Sequence, residues 1–288
     1  MADVAATWLV ETDWLAQHLD APDLVILDGS YHLPSEKRDA YQEYLGEHIP
    51  GALFFDIDEI ADTDSDLAHM LPSPEKFSSR MRKMGIGDGM RVVVYDSKGM
   101  FSAARVWWMF RTMGARDVAV LNGGLPKWKS EGRPLEDGPP PHRTERHFTA
   151  RRNAELVRDM ADVQKVVAGN SAQLIDARSP ERFSGTTPEP RQGLRAGHIP
   201  GSSNLHYAAL LNADGTMKTP EQLKAIFDAA GLELGQPVVA TCGSGVTACI
   251  LALALAMLGH RHAAVYDGSW TEWGQDENLP IEKGASSA

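Results

Sequence analysis

Short apolar runs of four or five residues alternate along the chain with longer stretches of helical character. The runs are predicted to be strands, among them 92–95, 118–121, 238–241 and 263–266. Stretches 102–113 and 247–259 each follow one of these runs and are predicted to be helices. This alternation is typical of parallel strands covered by helices on both faces. The sequence therefore predicts an α/β fold.

The same landmarks occur twice along the chain, in the same order and 145 to 150 residues apart. In order, they are an aspartate at the end of an apolar run, the histidine of an HIPG motif, the residue after a central strand, and a tryptophan that follows a glycine-containing turn. The pairs are Asp28 with Asp176, His48 with His198, Asp96 with Cys242, and Trp128 with Trp273. A tandem duplication explains this order better than coincidence between short α/β units.

A proline-rich, charged segment at 132–149 separates the two halves. Its prolines disfavour a helix, so it is predicted to be an extended linker. The predicted domains are residues 1–142 and 151–288, with the end of the linker at 143–150.

Composition and charge narrow the class of protein. The 288 residues are 43% hydrophobic and carry a net charge of −11, so the chain is globular, with neither nucleic acid nor a membrane expected as a partner. Two cysteines exclude a disulfide framework and fit a reducing compartment. The first residues do not resemble a signal peptide, and the apolar run 248–258 is too short to span a bilayer. We expect a cytoplasmic location.

Cys242 ends a predicted strand, and Gly243, Ser244 and Gly245 separate it from the next helix. Glycines allow a tight turn that points successive backbone N–H groups into one concavity, and the helix N-terminus adds its positive dipole end. A thiolate is stabilised there and becomes a usable nucleophile at neutral pH. The same loop would accept a persulfide anion.

The other positions related to this loop indicate that only one half is reactive. Cys249 lies inside the apolar helix and is predicted to be a buried small hydrophobe. Asp96 occupies the position of Cys242 in the first half, which therefore lacks the thiol. A tyrosine-phosphatase-like enzyme also places a cysteine in such a loop, but the loop CGSGVTA has no arginine for phosphoryl oxygens.

Several ordered segments carry a resemblance to a known family. They are FFDID at 54–58, HMLP at 69–72, ARVWWMF at 104–110, TPEPR at 187–191 and YDGSW at 266–270. With the two HIPG motifs and the CGSGVTA loop, the chain resembles the two-domain rhodanese superfamily, and within it the mercaptopyruvate sulfurtransferases. The resemblance implies two rhodanese-like domains, an inactive N-terminal one and a catalytic C-terminal one. It also implies sulfur transfer from 3-mercaptopyruvate, through a Cys242 persulfide, to a thiophilic acceptor.

The resemblance further implies roles for individual residues. Arg182 and Arg191 bind the carboxylate and carbonyl of the substrate, and Asp58, His69 and Ser244 form a proton relay. The remaining substrate-binding residues belong to the active loop and are Gly243, Gly245, Val246 and Thr247. Phe101 stands where animal-type enzymes have a tyrosine, which removes one hydrogen-bond donor. No cofactor and no metal site are expected, because the chain has no CxxC, HExxH or nucleotide-binding motif.

The sequence alone leaves several alternatives open. Thiosulfate is the first alternative donor, although enzymes that use it typically have basic residues after the cysteine, where this chain has Gly243 and Ser244. A phosphatase-like enzyme and a catalytically silent rhodanese-type binding module are the alternatives from other classes. Thioredoxin, a small thiol, cyanide and a sulfur-relay protein all remain possible acceptors.

Overall fold

The computed structural model describes residues 8–285, which form two compact units. The first unit contains residues 8–60, Pro72–Arg152 and Ala213–Met217, and the second contains Ala61–Leu71, Asn153–Asn212 and residues 218–285. Each unit therefore includes one short segment from the other half of the sequence. Residues 137–153 contain neither helix nor strand, and the linker end at 143–150 stays a prediction.

The first unit is built around one parallel sheet. Strands β1 to β5 span Leu9–Val10, Leu24–Asp28, Leu53–Phe54, Arg91–Tyr95 and Val118–Leu121. Helices α1 to α5 span Thr12–Gln17, Ala40–Gly46, Pro74–Lys83, Ala103–Thr112 and Gly124–Ser130. The strand order is β1-β5-β4-β2-β3, with every neighbouring pair parallel.

The second unit repeats this arrangement. Strands β6 to β10 span Val157–Arg158, Gln173–Asp176, Ser202–Asn204, Val238–Thr241 and Ala264–Tyr266. Helices α6 to α10 span Met160–Gly169, Pro180–Ser184, Pro220–Ala229, Ala248–Met257 and Ser269–Trp273. The order β6-β10-β9-β7-β8 is that of the first sheet, again with parallel neighbours. The predicted α/β fold with a parallel sheet in each half is confirmed.

The central strands and the helices that follow them form the interior of each unit. Strand β4 lies between β5 and β2, and β9 lies between β10 and β7. Their valine-rich runs are buried, as expected for parallel strands covered on both faces. Helix α9 is apolar on nearly all sides, and its residues from Ala248 to Ala256 are buried. Within residues 8–285, no helix is long and apolar enough to cross a membrane.

The carboxyl ends of parallel strands meet at one edge of the sheet, where open α/β folds bind ligands. Asp96 directly follows β4, and Cys242 directly follows β9. The duplicated topology therefore places the carboxylate and the thiol at equivalent positions of their respective units.

Two buried aspartates at this edge have different surroundings. Asp176 closes β7 and forms an ion pair of 2.6 Å with Arg178. Asp28 closes β2, and its Oδ1 accepts a hydrogen bond of 2.9 Å from the backbone N–H of Ser30. Burial raises the pKa of Asp28 to about 6, although hydrogen bonds from Ser30 act in the opposite direction.

The raised pKa makes the stability of the first unit depend on pH. Because the folded pKa of Asp28 lies above its unfolded value, its contribution to stability is largest at low pH and is lost as pH rises toward 6. Asp28→Asn should therefore be more stable than wild type at pH 8, by about 2–3 kcal/mol, with no advantage at pH 4. Urea unfolding at pH 4, 6 and 8 measures this difference.

Asp23→Asn is the matched control, because Asp23 is an exposed aspartate beside the same strand. It should change the free energy of unfolding by less than about 0.5 kcal/mol at each pH. A pH-independent difference between Asp28→Asn and wild type would show that ionising Asp28 costs the fold nothing.

Candidate active site

Cys242 lies where β9 turns toward α9. The residue is 2% exposed. Its backbone N–H donates to Oγ of Ser269 at 3.2 Å, and its carbonyl accepts from the N–H of Trp270 at 3.0 Å. Gly245, with φ of 74°, provides the left-handed turn before the helix. These bonds join the backbone of Cys242 to the segment that follows the neighbouring strand β10.

The equivalent loop of the first unit already holds an anion. Oδ2 of Asp96 accepts the backbone N–H groups of Phe101, Ser102 and Ala103 at 2.7, 2.9 and 2.9 Å, and Oδ1 accepts that of Lys98 at 2.8 Å. The Asp96 carbonyl accepts from Leu125 at 3.0 Å, as the Cys242 carbonyl does from Trp270. A loop of this topology therefore directs four N–H groups to one negative charge, an arrangement that stabilises anions.

Arg182 reaches the loop from α7. Its Nη2 lies 3.0 Å from the position that a Cβ atom on Gly243 would occupy. A side chain at residue 243 would therefore displace the guanidinium. Glu189 accepts from Nη2 of Arg182 at 2.5 Å and from its Nε at 3.3 Å.

Arg191 approaches the same loop through Thr271. Its Nη1 donates to Oγ1 of Thr271 at 3.4 Å, and Thr271 donates to the Gly243 carbonyl at 2.6 Å. Nη2 of Arg191 lies 3.2 Å from Nε2 of His69. Because a guanidinium only donates, Nε2 is the acceptor, and the proton of the neutral imidazole is on Nδ1.

His69 has an unusual backbone conformation. It is 4% exposed and has φ of 66°, in the left-handed region that side chains disfavour. Gly215 is its counterpart in the segment Ala213–Met217, and it has φ of 79°. The segments are tied in the same way, by Leu71 N–H to Asp267 Oδ2 at 2.6 Å and by Met217 N–H to Asn122 Oδ1 at 2.8 Å. A histidine thus stands where the duplicated turn has glycine.

The remaining predicted residues are placed as follows. Ser244 is buried in the loop beside Cys242, at 7% exposure. Asp58 is exposed and belongs to the first unit, whereas His69 belongs to the second. The relay through Asp58, His69 and Ser244 therefore stays a prediction. Cys249 is fully buried in α9, as predicted, with its thiol 3.1 Å from the Gly245 carbonyl.

Four residues of the site were not assigned roles from the sequence. Ser269 and Thr271 fix the backbone of the active loop. Arg178 and Glu189 form a buried ionic cluster behind Arg182. The sequence signal that could have identified Glu189 was its place in the motif TPEPR. It lies between two prolines and two residues before Arg191, to which substrate binding had been assigned.

The fold and the loop define a class of protein. The Rhodanese-like domain family matches residues 11–131 and 154–276, once in each half of the sequence. The chain belongs to the rhodanese family, and the predicted tandem arrangement is confirmed.

Several known proteins are similar to this chain over nearly its whole length. The 3-mercaptopyruvate sulfurtransferase of Escherichia coli (strain K12) is 44% identical over 280 residues, which cover 97% of this chain and 99% of that protein. The thiosulfate sulfurtransferase of Rattus norvegicus is 45% identical over 273 residues, covering 92% and 91%. The crystal structure of SseA, a 3-mercaptopyruvate sulfotransferase of E. coli, has a TM-score of 0.84 at 43% identity, covering 92% of this chain and 99% of that one. The expected resemblance is confirmed.

The backbone of His69 yields a stability prediction. His69→Gly and His69→Ala remove the same imidazole, but only glycine is free of strain at this φ. His69→Gly should therefore be more stable than His69→Ala by about 1 kcal/mol in urea unfolding. Gly215→Ala should lose about the same amount, because it introduces the strain in the duplicated turn. Equal stability of the two His69 variants would exclude backbone strain at this residue.

Proposed function

We propose that this chain is a 3-mercaptopyruvate sulfurtransferase that carries sulfur as a persulfide on Cys242. The observation that carries the proposal is the pair of equivalent loops, one of which binds a carboxylate through four backbone N–H groups while the other presents a thiol. The similarity to the E. coli enzyme over nearly all of both chains supports the choice of donor.

The first step forms the persulfide. The Cys242 thiolate attacks the sulfur of 3-mercaptopyruvate, a sulfur–sulfur bond forms and the sulfur–carbon bond breaks. The electron pair of the broken bond remains on carbon as the enolate of pyruvate, which takes up a proton. By analogy with the loop that holds Asp96, backbone N–H groups of the loop after Cys242 stabilise the negative sulfur in this proposal. Gly243, Gly245 and Val246 complete the wall of this loop.

Two arginines orient the donor in this proposal. Arg182 lies against Gly243, and Arg191 is tied to Gly243 through Thr271. Their guanidinium groups suit a carboxylate and an adjacent carbonyl, because each offers paired N–H donors in one plane. The donor sulfur is thereby placed at Cys242.

Ser244 is the proposed proton donor to the enolate, with His69 restoring its proton and Asp58 orienting the imidazole. The Arg191–His69 contact adds a condition to this relay, because Nε2 of His69 is occupied while Arg191 donates to it. A substrate carboxylate that accepts from Arg191 would release Nε2, which would then take up a proton from solvent and deliver it to Ser244. Substrate binding and proton transfer would then be coupled.

Thiosulfate is the second candidate donor. It is supported by the 45% identity to a thiosulfate sulfurtransferase. Against it, Gly243 and Ser244 add no positive charge beside the thiol, and a dianion needs more compensation than the single carboxylate of mercaptopyruvate. We therefore assign mercaptopyruvate as the preferred donor.

The second step transfers the outer sulfur atom to an acceptor. A thiolate or cyanide attacks that atom, and the Cys242 thiolate leaves. A thiol acceptor fits this chemistry, and thioredoxin is one proposed example. The cytoplasmic location expected from the sequence stays a prediction.

A single-turnover experiment tests the assignment of the nucleophile. With excess 3-mercaptopyruvate and no acceptor, the intact protein should gain the mass of one sulfur atom and release one equivalent of pyruvate. Dithiothreitol or cyanide should remove the added mass. Under the same conditions, thiosulfate should load the protein more slowly, because the loop lacks added cations.

Cys242→Ser should abolish both the added mass and the release of pyruvate, whereas the matched control Cys249→Ser should retain them. A sulfur adduct that persists in Cys242→Ser would refute the role of Cys242. Faster loading of wild type by thiosulfate than by mercaptopyruvate would instead refute the choice of donor.

A further inference from the structure

Glu189 lies in an exposed loop, but its carboxylate is buried. Its side chain is 1% exposed, although its neighbours Pro188 and Pro190 are exposed. Proline fixes its own φ and restricts the residue before it, so this backbone is confined to extended conformations on both sides of Glu189. The carboxylate is therefore held in place with little further loss of backbone entropy.

Two arginines share this carboxylate. Oε1 accepts from Nη1 of Arg178 at 2.8 Å, and Oε2 accepts from Nη2 of Arg182 at 2.5 Å. Arg178 is fully buried and also pairs with Asp176, so that ion pair is balanced without Glu189. The negative charge of Glu189 consequently compensates the positive charge of Arg182.

Arg182 connects this buried cluster to the catalytic loop. Its Nη2 is bonded to Glu189 and also lies 3.0 Å from the Cβ position of Gly243. A guanidinium has five N–H groups, and the two bonds to Glu189 engage those of Nε and one of Nη2. Three N–H groups of Arg182 lie outside these two bonds, on the side that includes Gly243.

We propose that Glu189 is a positioning residue that fixes Arg182 at the catalytic loop and, by offsetting its charge, sets the preference for a singly charged donor. The inference rests on the proposed function and adds a determinant of its specificity. The interaction of Arg182 with a donor grows with the charge of that donor, so an uncompensated Arg182 favours doubly charged thiosulfate more than mercaptopyruvate.

The test is the ratio of kcat/KM for thiosulfate to kcat/KM for 3-mercaptopyruvate, with cyanide as the common acceptor. Glu189→Gln keeps the size and one acceptor oxygen of the side chain but removes its charge. It should raise the ratio about five- to tenfold over wild type, and the increase should shrink at high ionic strength. Glu189→Asp keeps the charge, so it should leave the ratio within about twofold of wild type, even with a lower rate.

Glu181→Gln is the matched control, because it removes an exposed carboxylate from the residue next to Arg182 on the same helix. It should alter the ratio by less than about twofold. An equal ratio in Glu189→Gln, Glu181→Gln and wild type would overturn the proposal, since a purely structural role would slow both donors alike.

If Glu189→Gln does not fold, Arg182→Gln and the double variant Arg182→Gln/Glu189→Gln carry the test. Arg182→Gln leaves the charge of Glu189 uncompensated, so its donor ratio should fall below that of wild type, and the double variant, which removes that charge, should bring the ratio back toward wild type. Equal ratios in Arg182→Gln and the double variant would overturn the proposal. Wild type that forms no persulfide from either donor would refute the proposed function, whereas an active wild type with an unresponsive ratio refutes only the role of Glu189.

Discussion

The structure depends on how backbone N–H groups converge behind a central parallel strand. In the first unit, four of them bind the carboxylate of Asp96. Unpaired N–H groups inside a protein are costly, so this loop is stable only when an anion or another acceptor occupies it. The loop therefore favours a negatively charged group at the residue that ends the strand.

The duplicated loop holds a different residue in each unit. Asp96 satisfies it permanently with a carboxylate, whereas Cys242 provides a sulfur that is negative as a thiolate or a persulfide. Around Cys242, two arginines approach Gly243 from different segments, one held by Glu189 and the other by Thr271. One copy is thus a stable structural element, and the other has the groups to which we assign sulfur transfer.

The fold could be predicted largely from sequence because its signals are local. The valine-rich strands β4 and β9 and the apolar helix α9 alternate in a way that indicates a covered parallel sheet, and the repeated landmarks indicate two units. Cys242 could be predicted as the nucleophile for the same reason, since strand, glycines and helix are contiguous; this assignment stays a prediction. The roles of Arg182, Arg191, His69 and Asp58 came from family resemblance, because isolated charges in loops carry no local signal.

The supporting contacts could not be predicted because they join segments distant in sequence. Thr271 meets the Gly243 carbonyl from the next strand's loop, and Arg178, Asp176 and Glu189 pair only after β7 and the loop 187–191 have packed. The strain at His69 is likewise visible only in its backbone angle and in comparison with Gly215. The sequence therefore indicates a candidate nucleophile more readily than the residues that position other side chains.

In our proposal the loop after β9 stabilises an anion as the loop after β4 does, and the stability of Cys242→Asp tests this most directly. If the loop N–H groups donate to a carboxylate, the free energy of unfolding of Cys242→Asp should be at least that of Cys242→Ala, and up to about 3 kcal/mol higher. A destabilisation of several kcal/mol relative to Cys242→Ala would show a buried charge without partners and would contradict the account.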